Sequence, residues 1–271
     1  MTLFRYAQDY YGGWLPVQLL PQTAALILWL SILFIGLHLL RRSRGEPVSS
    51  AQHHEAFSDA PYVRKYTLGQ RLYHWGNFVS LAVLALSGMA LFVPRSLKSF
   101  PYSWLLIHEV FAALFIAGLI LHVLAATIRG QPASMWFEKR DWNDVRLILS
   151  NFFGRTSEYP RFGKYDPLQK LYHALLAGLS TGLIFSGIFL WLSAENLATF
   201  SHEWMRWQRL VHDLSSFLLL AFVLGHVYFG VIRINWPNLV AISIGRLTTE
   251  YFRRRHSQQR WSPEPLERPP D

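Results

Sequence analysis

The chain contains no cysteine. That absence excludes disulfides, a thiolate zinc site, a cysteine-held iron–sulfur cluster and a covalent c-type haem on this polypeptide. Charge is also scarce. Asp, Glu, Lys and Arg make up 16% of the 271 residues, against about 25% in ordinary soluble domains. Acidic residues are the scarcer kind, 17 against 26 basic ones, leaving a net charge of +9. Intrinsic disorder is excluded, because 51% of the residues are hydrophobic and 15% aromatic. A mean hydropathy of +0.16 argues against a soluble globule as well.

What is present is a set of long apolar runs. Five of them, at roughly 22–40, 72–93, 103–128, 170–193 and 207–232, are each long enough to cross about 30 Å of hydrocarbon as a helix rising about 1.5 Å per residue. The chain therefore reads as an integral membrane protein. The first run is not read as a signal peptide. About twenty residues precede it, including Asp9 and a single basic residue, Arg5. No small-x-small cleavage pattern follows, and Arg41, Arg42 and Arg44 close it.

Lysine and arginine are unevenly shared between the loops. The stretches 41–71, 129–170 and 233–271 hold six, eight and seven, whereas the N-terminus, 94–102 and 194–209 hold one, two and two. By the positive-inside rule the N-terminus is expected outside and the C-terminus in the cytoplasm. The basic charge reports orientation rather than a nucleic-acid partner. Residues 43–70, with Gly45, Pro47, Pro61, His53 and His54, read as a linker. Residues 135–153 mix aromatics with charges and predict a helix lying in the interface. The end, 257–271, is rich in Pro, Gln and Glu and reads as a mobile tail. There is no internal repeat of fixed period.

Seven of the 11 histidines lie in or at the ends of the apolar runs: His38, His74, His108, His122, His173, His212 and His226. Polar groups there are costly and mark functional sites. The topology puts His108 and His212 in an outer layer, on different helices. His74, His122, His173 and His226 are the candidates for an inner layer. Within both the third and the fifth run two histidines stand 14 residues apart, which puts them on roughly one face about 21 Å apart along the axis. That arrangement suits two stacked cofactors clamped between helices. Haem b is the natural one, since it is held by two imidazoles and needs no cysteine. The rival is a transition-metal path, but acidic partners are scarce: Glu109 and Asp213 each follow a histidine directly and so face elsewhere.

The motifs around these histidines resemble a known family. Arg71-Leu72-Tyr73-His74-Trp75, then Leu86-Ser87-Gly88, then Leu106-Ile107-His108 are similar to the first two helices of the gamma subunit of respiratory formate dehydrogenase. Gly163-Lys164-Tyr165-Asp166-Pro167-Leu168-Gln169-Lys170 resembles its Gly-Lys-Tyr-Asn-x-x-Gln-Lys signature, with Asp166 in place of the Asn. Leu210-Val211-His212-Asp213 and Gly225-His226-Val227-Tyr228 resemble its fourth helix. The wider family of dihaem cytochrome b subunits also serves hydrogenases and thiosulfate reductases. The resemblance implies an outer haem on His108 and His212 and an inner haem on His74 and His226. It implies a quinone, menaquinone or ubiquinone, near Gln169, Asp166 and His173. His122 is an addition to that pattern. With His108 it resembles instead the cytochrome b of quinol–cytochrome c reductases, where two helices ligate both haems, and there His122 would replace His74.

The expected architecture is an all-α membrane protein: a four-helix haem-binding transmembrane bundle plus one extra N-terminal transmembrane helix. Its parts are 1–45, the added helix; 46–70, a cytoplasmic linker; 71–235, the dihaem core; and 236–271, a basic tail. The expected function is a membrane-anchor cytochrome b, passing electrons between an outer-side partner and the quinone pool. The partner would bring an iron–sulfur subunit and a molybdenum, tungsten or nickel–iron catalytic subunit. This chain would carry quinone reduction at most. A quinol-oxidising cytochrome b of another complex and a haem-free transporter or scaffold are the alternatives.

Overall fold

A computed structural model of the chain describes residues 6–8, 14–16, 19–42, 60–92, 101–130, 132–152, 155, 159–232 and 235–267. His53 and His54 of the linker, and Arg95 and Lys98 of the loop after the second apolar run, lie outside the described residues. The long elements are helical: α1 (Leu19–Arg42), α2 (Leu68–Phe92), α3 (Pro101–Ile128), α4 (Lys139–Phe152), α5 (Pro167–Ala194) and α6 (His202–Val231). Among the described residues, four helices are long and apolar enough to cross a membrane: those at 68–91, 104–128, 167–194 and 202–231. The described part of α1 adds a shorter apolar helix, Leu26–Leu40. The large side chains along these helices, such as Leu72, Leu86, Leu121 and Phe185, are exposed. A helix whose outward-facing apolar side chains stay exposed is matched to lipid, not water. The all-helical membrane fold is thus as expected.

The chain forms two compact units, 1–45 with 174–228 and 46–173 with 229–271. The first holds α1, most of α5, α6 and an antiparallel pair of three-residue strands, β1 (Tyr6–Gln8) and β2 (Trp14–Pro16). Here α6 returns antiparallel to α5: a Cβ on Gly182 would stand 3.2 Å from Ser215 Oγ, and one on Gly187 would stand 3.3 Å from His212 Cε1. The added helix α1 is tied to α6 by a 2.6 Å hydrogen bond between His38 Nδ1 and the Tyr228 hydroxyl.

In the second unit α3 returns along α2. Ser87, near the end of α2, meets His108 near the start of α3. Tyr73, near the start of α2, stacks on His122 at 3.9 Å between ring centroids. The same unit carries a small polar cap. Its sheet, ordered β4–β3–β5, joins β3 (Tyr62–Arg64) to β4 (Arg246–Thr248) and β5 (Pro265–Leu266), both antiparallel. Helices α7 (Trp236–Ile244) and α8 (Thr249–Arg255) flank it. Val63, Ala241, Leu247 and Phe252 form its core, with Tyr66, Tyr251 and Trp261 packed against them.

The linker and tail read from the sequence therefore meet in one folded element. Residues 60–66 and 236–266 pair strand to strand, which single-segment composition does not reveal. Gly245 closes the turn between α7 and β4 at φ +91°, where its carbonyl accepts from the Lys65 and Tyr66 amides. A Cβ there would stand 2.9 Å from the Tyr66 carbonyl, so only glycine fits. The interface helix expected over 135–153 is α4. It buries Asp141, Asp144 and Ile148 and exposes Trp142 and Leu149. Its buried carboxylates are paired: Asp141 accepts from Lys170 at 2.9 Å and Asp144 from Arg260 at 2.6 Å.

Candidate functional site

The candidate histidines sit in a duplicated scaffold. Thr67 and Gln70 cap α2 reciprocally: Gln70 N donates to Thr67 Oγ1 at 3.3 Å, and Thr67 N to Gln70 Oε1 at 3.1 Å. Asp166 and Gln169 do the same for α5, at 2.8 and 3.3 Å. These are capping boxes, each satisfying two amides at a helix start. From there the two helices run in step. Gln70-Arg71-Leu72-Tyr73-His74 matches Gln169-Lys170-Leu171-Tyr172-His173, and Ser87-Gly88 matches Ser186-Gly187, all at an offset of 99 residues. The partner helices match too, His108 with His212 and His122 with His226, but at an offset of 104. A search at one fixed period misses this duplication, because the segments joining the helices differ by five residues. Comparing helices pairwise recovers it from the sequence alone.

His108 and His212, the outer-layer candidates, are held alike. In the second unit, His108 Nδ1 is 2.9 Å from Ser87 Oγ, and a Cβ on Gly88 would stand 3.4 Å from His108 Cε1. In the first unit, His212 Nδ1 is 3.1 Å from Ser186 Oγ, and a Cβ on Gly187 would stand 3.3 Å from His212 Cε1. Each imidazole thus rests against a glycine with one nitrogen fixed by a serine. Gly88 and Gly187 seat the imidazoles. The sequence reading did not single out Ser87 and Ser186 as partners of these rings.

The inner-layer candidates are more varied. His122 stacks on Tyr73. His74 stands edge-on to Trp75, at 5.4 Å between centroids. His173 donates from Nδ1 to the Gln169 carbonyl at 2.7 Å, which puts its lone pair on Nε2. His226 lies on α6, in the first unit. Asp166 and Gln169 have a structural duty as the capping box of α5. Among the described residues no group of three or more His, Asp or Glu side chains could hold a metal ion, so the metal-path reading has no cluster to build on there.

Beside the start of α5 the cap holds a polar cavity of about 30 Å³, whose lining includes Lys65, Asp166, Gln169, Asn238, Tyr251 and His256, with room for ordered water. Burial lowers the Lys65 ammonium to about 7, against the pull of Asp166. It raises the Asp166 carboxyl, opposed by the Gln169 amide and by Lys65. Burial likewise lowers the His256 imidazole to about 3, with Lys65 adding to the effect. Lys65 Nζ donates to Asn238 Oδ1 at 2.8 Å, and Asn238 Nδ2 donates to the Tyr251 hydroxyl at 3.0 Å. Desolvation is thus the largest influence on Lys65, Asp166 and His256, as a low dielectric requires.

Among the described residues, four membrane-length helices form two pairs, each holding one imidazole in the same serine–glycine seat. The sequence matches the family described as "Prokaryotic cytochrome b561" over residues 16–138 and again over 65–243. The chain belongs to that family, a family of helical membrane cytochromes that bind b-type haem. It is also similar to the Escherichia coli (strain K12) protein named "Putative cytochrome YdhU", at 25% identity over 236 residues, covering 83% of this chain and 87% of that one. The chain is accordingly a multi-pass cytochrome b of electron transfer.

The donor set fits haem. The family's group wants neutral imidazoles, and in each of these two seats Nδ1 meets a neutral serine hydroxyl, which leaves Nε2 as the nitrogen that would meet a haem iron.

Proposed function

We propose that this chain is the membrane anchor of a respiratory oxidoreductase similar to formate dehydrogenase, carrying electrons through two b haems between an outer-side iron–sulfur partner and the quinone pool. The observation that carries this reading is the duplicated seat. Two imidazoles on two helix pairs are fixed by the same residues in the same way, in a chain whose family binds b haem. When bound, each haem supplies a one-electron ferric–ferrous couple. His108 and His212 would hold the outer haem, and His74 and His226 the inner one. The lysine and arginine bias of the loops supports an inner-membrane orientation with the N-terminus outside.

Quinone, menaquinone or ubiquinone, is reduced near the start of α5. Reduction to quinol would take two electrons, which a haem on His74 and His226 would supply one at a time, and two protons from the cytoplasm. Asp166 and Gln169 are occupied in capping α5. His173, with the lone pair on Nε2, is the group that hydrogen-bonds the quinone. Oxidation of formate, hydrogen or a sulfur compound belongs to a molybdenum, tungsten or nickel–iron partner subunit.

A second reading is favoured by the duplication itself. His122 is the counterpart of His226, so symmetric use of α3 and α6 would place the inner haem on His122 and His226.

The test uses purified chain in liposomes, its haems reduced by limiting dithionite and then mixed with a soluble menaquinone or ubiquinone analogue. The b-type absorbance is expected to reoxidise. His173→Ala is expected to slow that step about tenfold, the worth of one hydrogen bond of about 1.4 kcal/mol, without loss of haem. Haems that stay reduced with every quinone would contradict the quinone assignment.

A further inference from the structure

We infer that Ser87 and Ser186 are positioning residues that fix the tautomer of His108 and His212 and hold down the redox potential of the outer haem. The inference rests on the reading of His108 and His212 as that haem's axial ligands. It begins from the serines. Both are 0% exposed, so each hydroxyl must find its partners inside the protein. A hydroxyl has one hydrogen to give and two lone pairs. In α2, Ser87 Oγ donates to the Val83 carbonyl one turn back at 2.7 Å. In α5, Ser186 Oγ donates to the Gly182 carbonyl at 2.6 Å. With its hydrogen committed, each oxygen is left to accept. What it faces is Nδ1 of His108 at 2.9 Å and of His212 at 3.1 Å. This arrangement puts the proton on Nδ1, for His108 with the Leu84 backbone as a second partner, and leaves the ring's lone pair on Nε2.

The adjoining glycines complete the seat. At 3.4 and 3.3 Å from the ring's Cε1, a side chain at Gly88 or Gly187 would press on the imidazole edge. Each ring is thus located by a donor–acceptor lock on one side and a steric notch beside it. The same atoms make the same contacts in both copies of the duplicated scaffold. An incidental hydrogen bond between a core serine and a core histidine would have no reason to recur at equivalent positions.

The chemical consequence follows from the direction of the bond. An imidazole that donates from Nδ1 to an oxygen is a more basic ligand through Nε2. The acceptor is itself polarised, because its own hydrogen is given to a carbonyl. A more basic ligand favours ferric over ferrous iron and lowers the potential. The serines touch the outer-layer histidines, so the effect belongs to one haem of the two.

Redox titration of the purified holoprotein, following the two b-type bands with haem content measured on each sample, tests this. Ser87→Ala and Ser186→Ala are each expected to weaken the ferric preference of the outer haem about tenfold, a rise of about 59 mV for a one-electron couple. The double variant is expected to rise further. Ser87→Thr, which keeps the hydroxyl, is expected to stay near the native potential. Loss of the outer haem alone in an alanine variant supports the inference too, since the seat is then needed for retention. Unchanged potentials, a shift confined to the inner haem, or a threonine variant that moves as far as alanine would overturn it. Failure of the ligand reading looks different: His212→Ala would leave both haems in place, and the role of the serines would fall with it.

Discussion

Replacing His212 with alanine is expected to lower the haem content of the purified protein from two per chain to one. A bis-imidazole centre has no covalent tether in a chain without cysteine, so its retention depends on the two axial bonds and the cavity around them. Ser186 contacts Nδ1 of the His212 ring and Gly187 faces its Cε1. With the ring gone they offer no replacement donor of comparable strength. His226 stands 14 residues further along α6, about four turns and about 21 Å away, so the inner centre is expected to survive. The remaining absorbance should titrate as a single component. Loss of both haems would mean that they are not bound as independent layers. Loss of neither would remove His212 from the ligand set.

His74→Ala and His122→Ala are expected to differ by a whole haem. With His74 as the inner ligand, its removal abolishes the inner centre and blocks electron delivery to quinone. His122→Ala then removes a ring stacked on Tyr73 at 3.9 Å. That is a loss of about 0.5–1.5 kcal/mol of aromatic contact, visible as a lower melting temperature with haem content intact. The reverse result would mean that the symmetry of the duplication governs ligation, with His122 and His226 as equivalent partners. Haem content on the two variants decides this without knowledge of the physiological electron donor.

The helical membrane architecture was legible because lipid imposes a length and composition that survive in a single sequence. The four long helices and the interface helix α4 lie where the apolar and mixed segments predicted them. The seats of His108 and His212 lie on the apolar helices in which the sequence reading singled these histidines out. Their serines were not legible. A serine in an apolar helix carries no periodic signal, and its partner is 21 or 26 residues away on another helix. The duplication was hidden by unequal connecting segments. The cap was hidden because its strands are three residues or fewer and join segments nearly two hundred residues apart, such as Tyr62 with Thr248. Asp166 illustrates a different limit. The motif offers it as a quinone contact, whereas the structure shows a side chain bonded to the Gln169 amide, a role that local sequence spacing alone already permits.

A reduced-minus-oxidised visible spectrum of the purified chain, with haem extracted and counted against protein, tests the paired-imidazole cytochrome most directly. The expected result is a b-type α band and two non-covalent haems per chain. A protein that folds in the membrane with no α band and no extractable haem would contradict it.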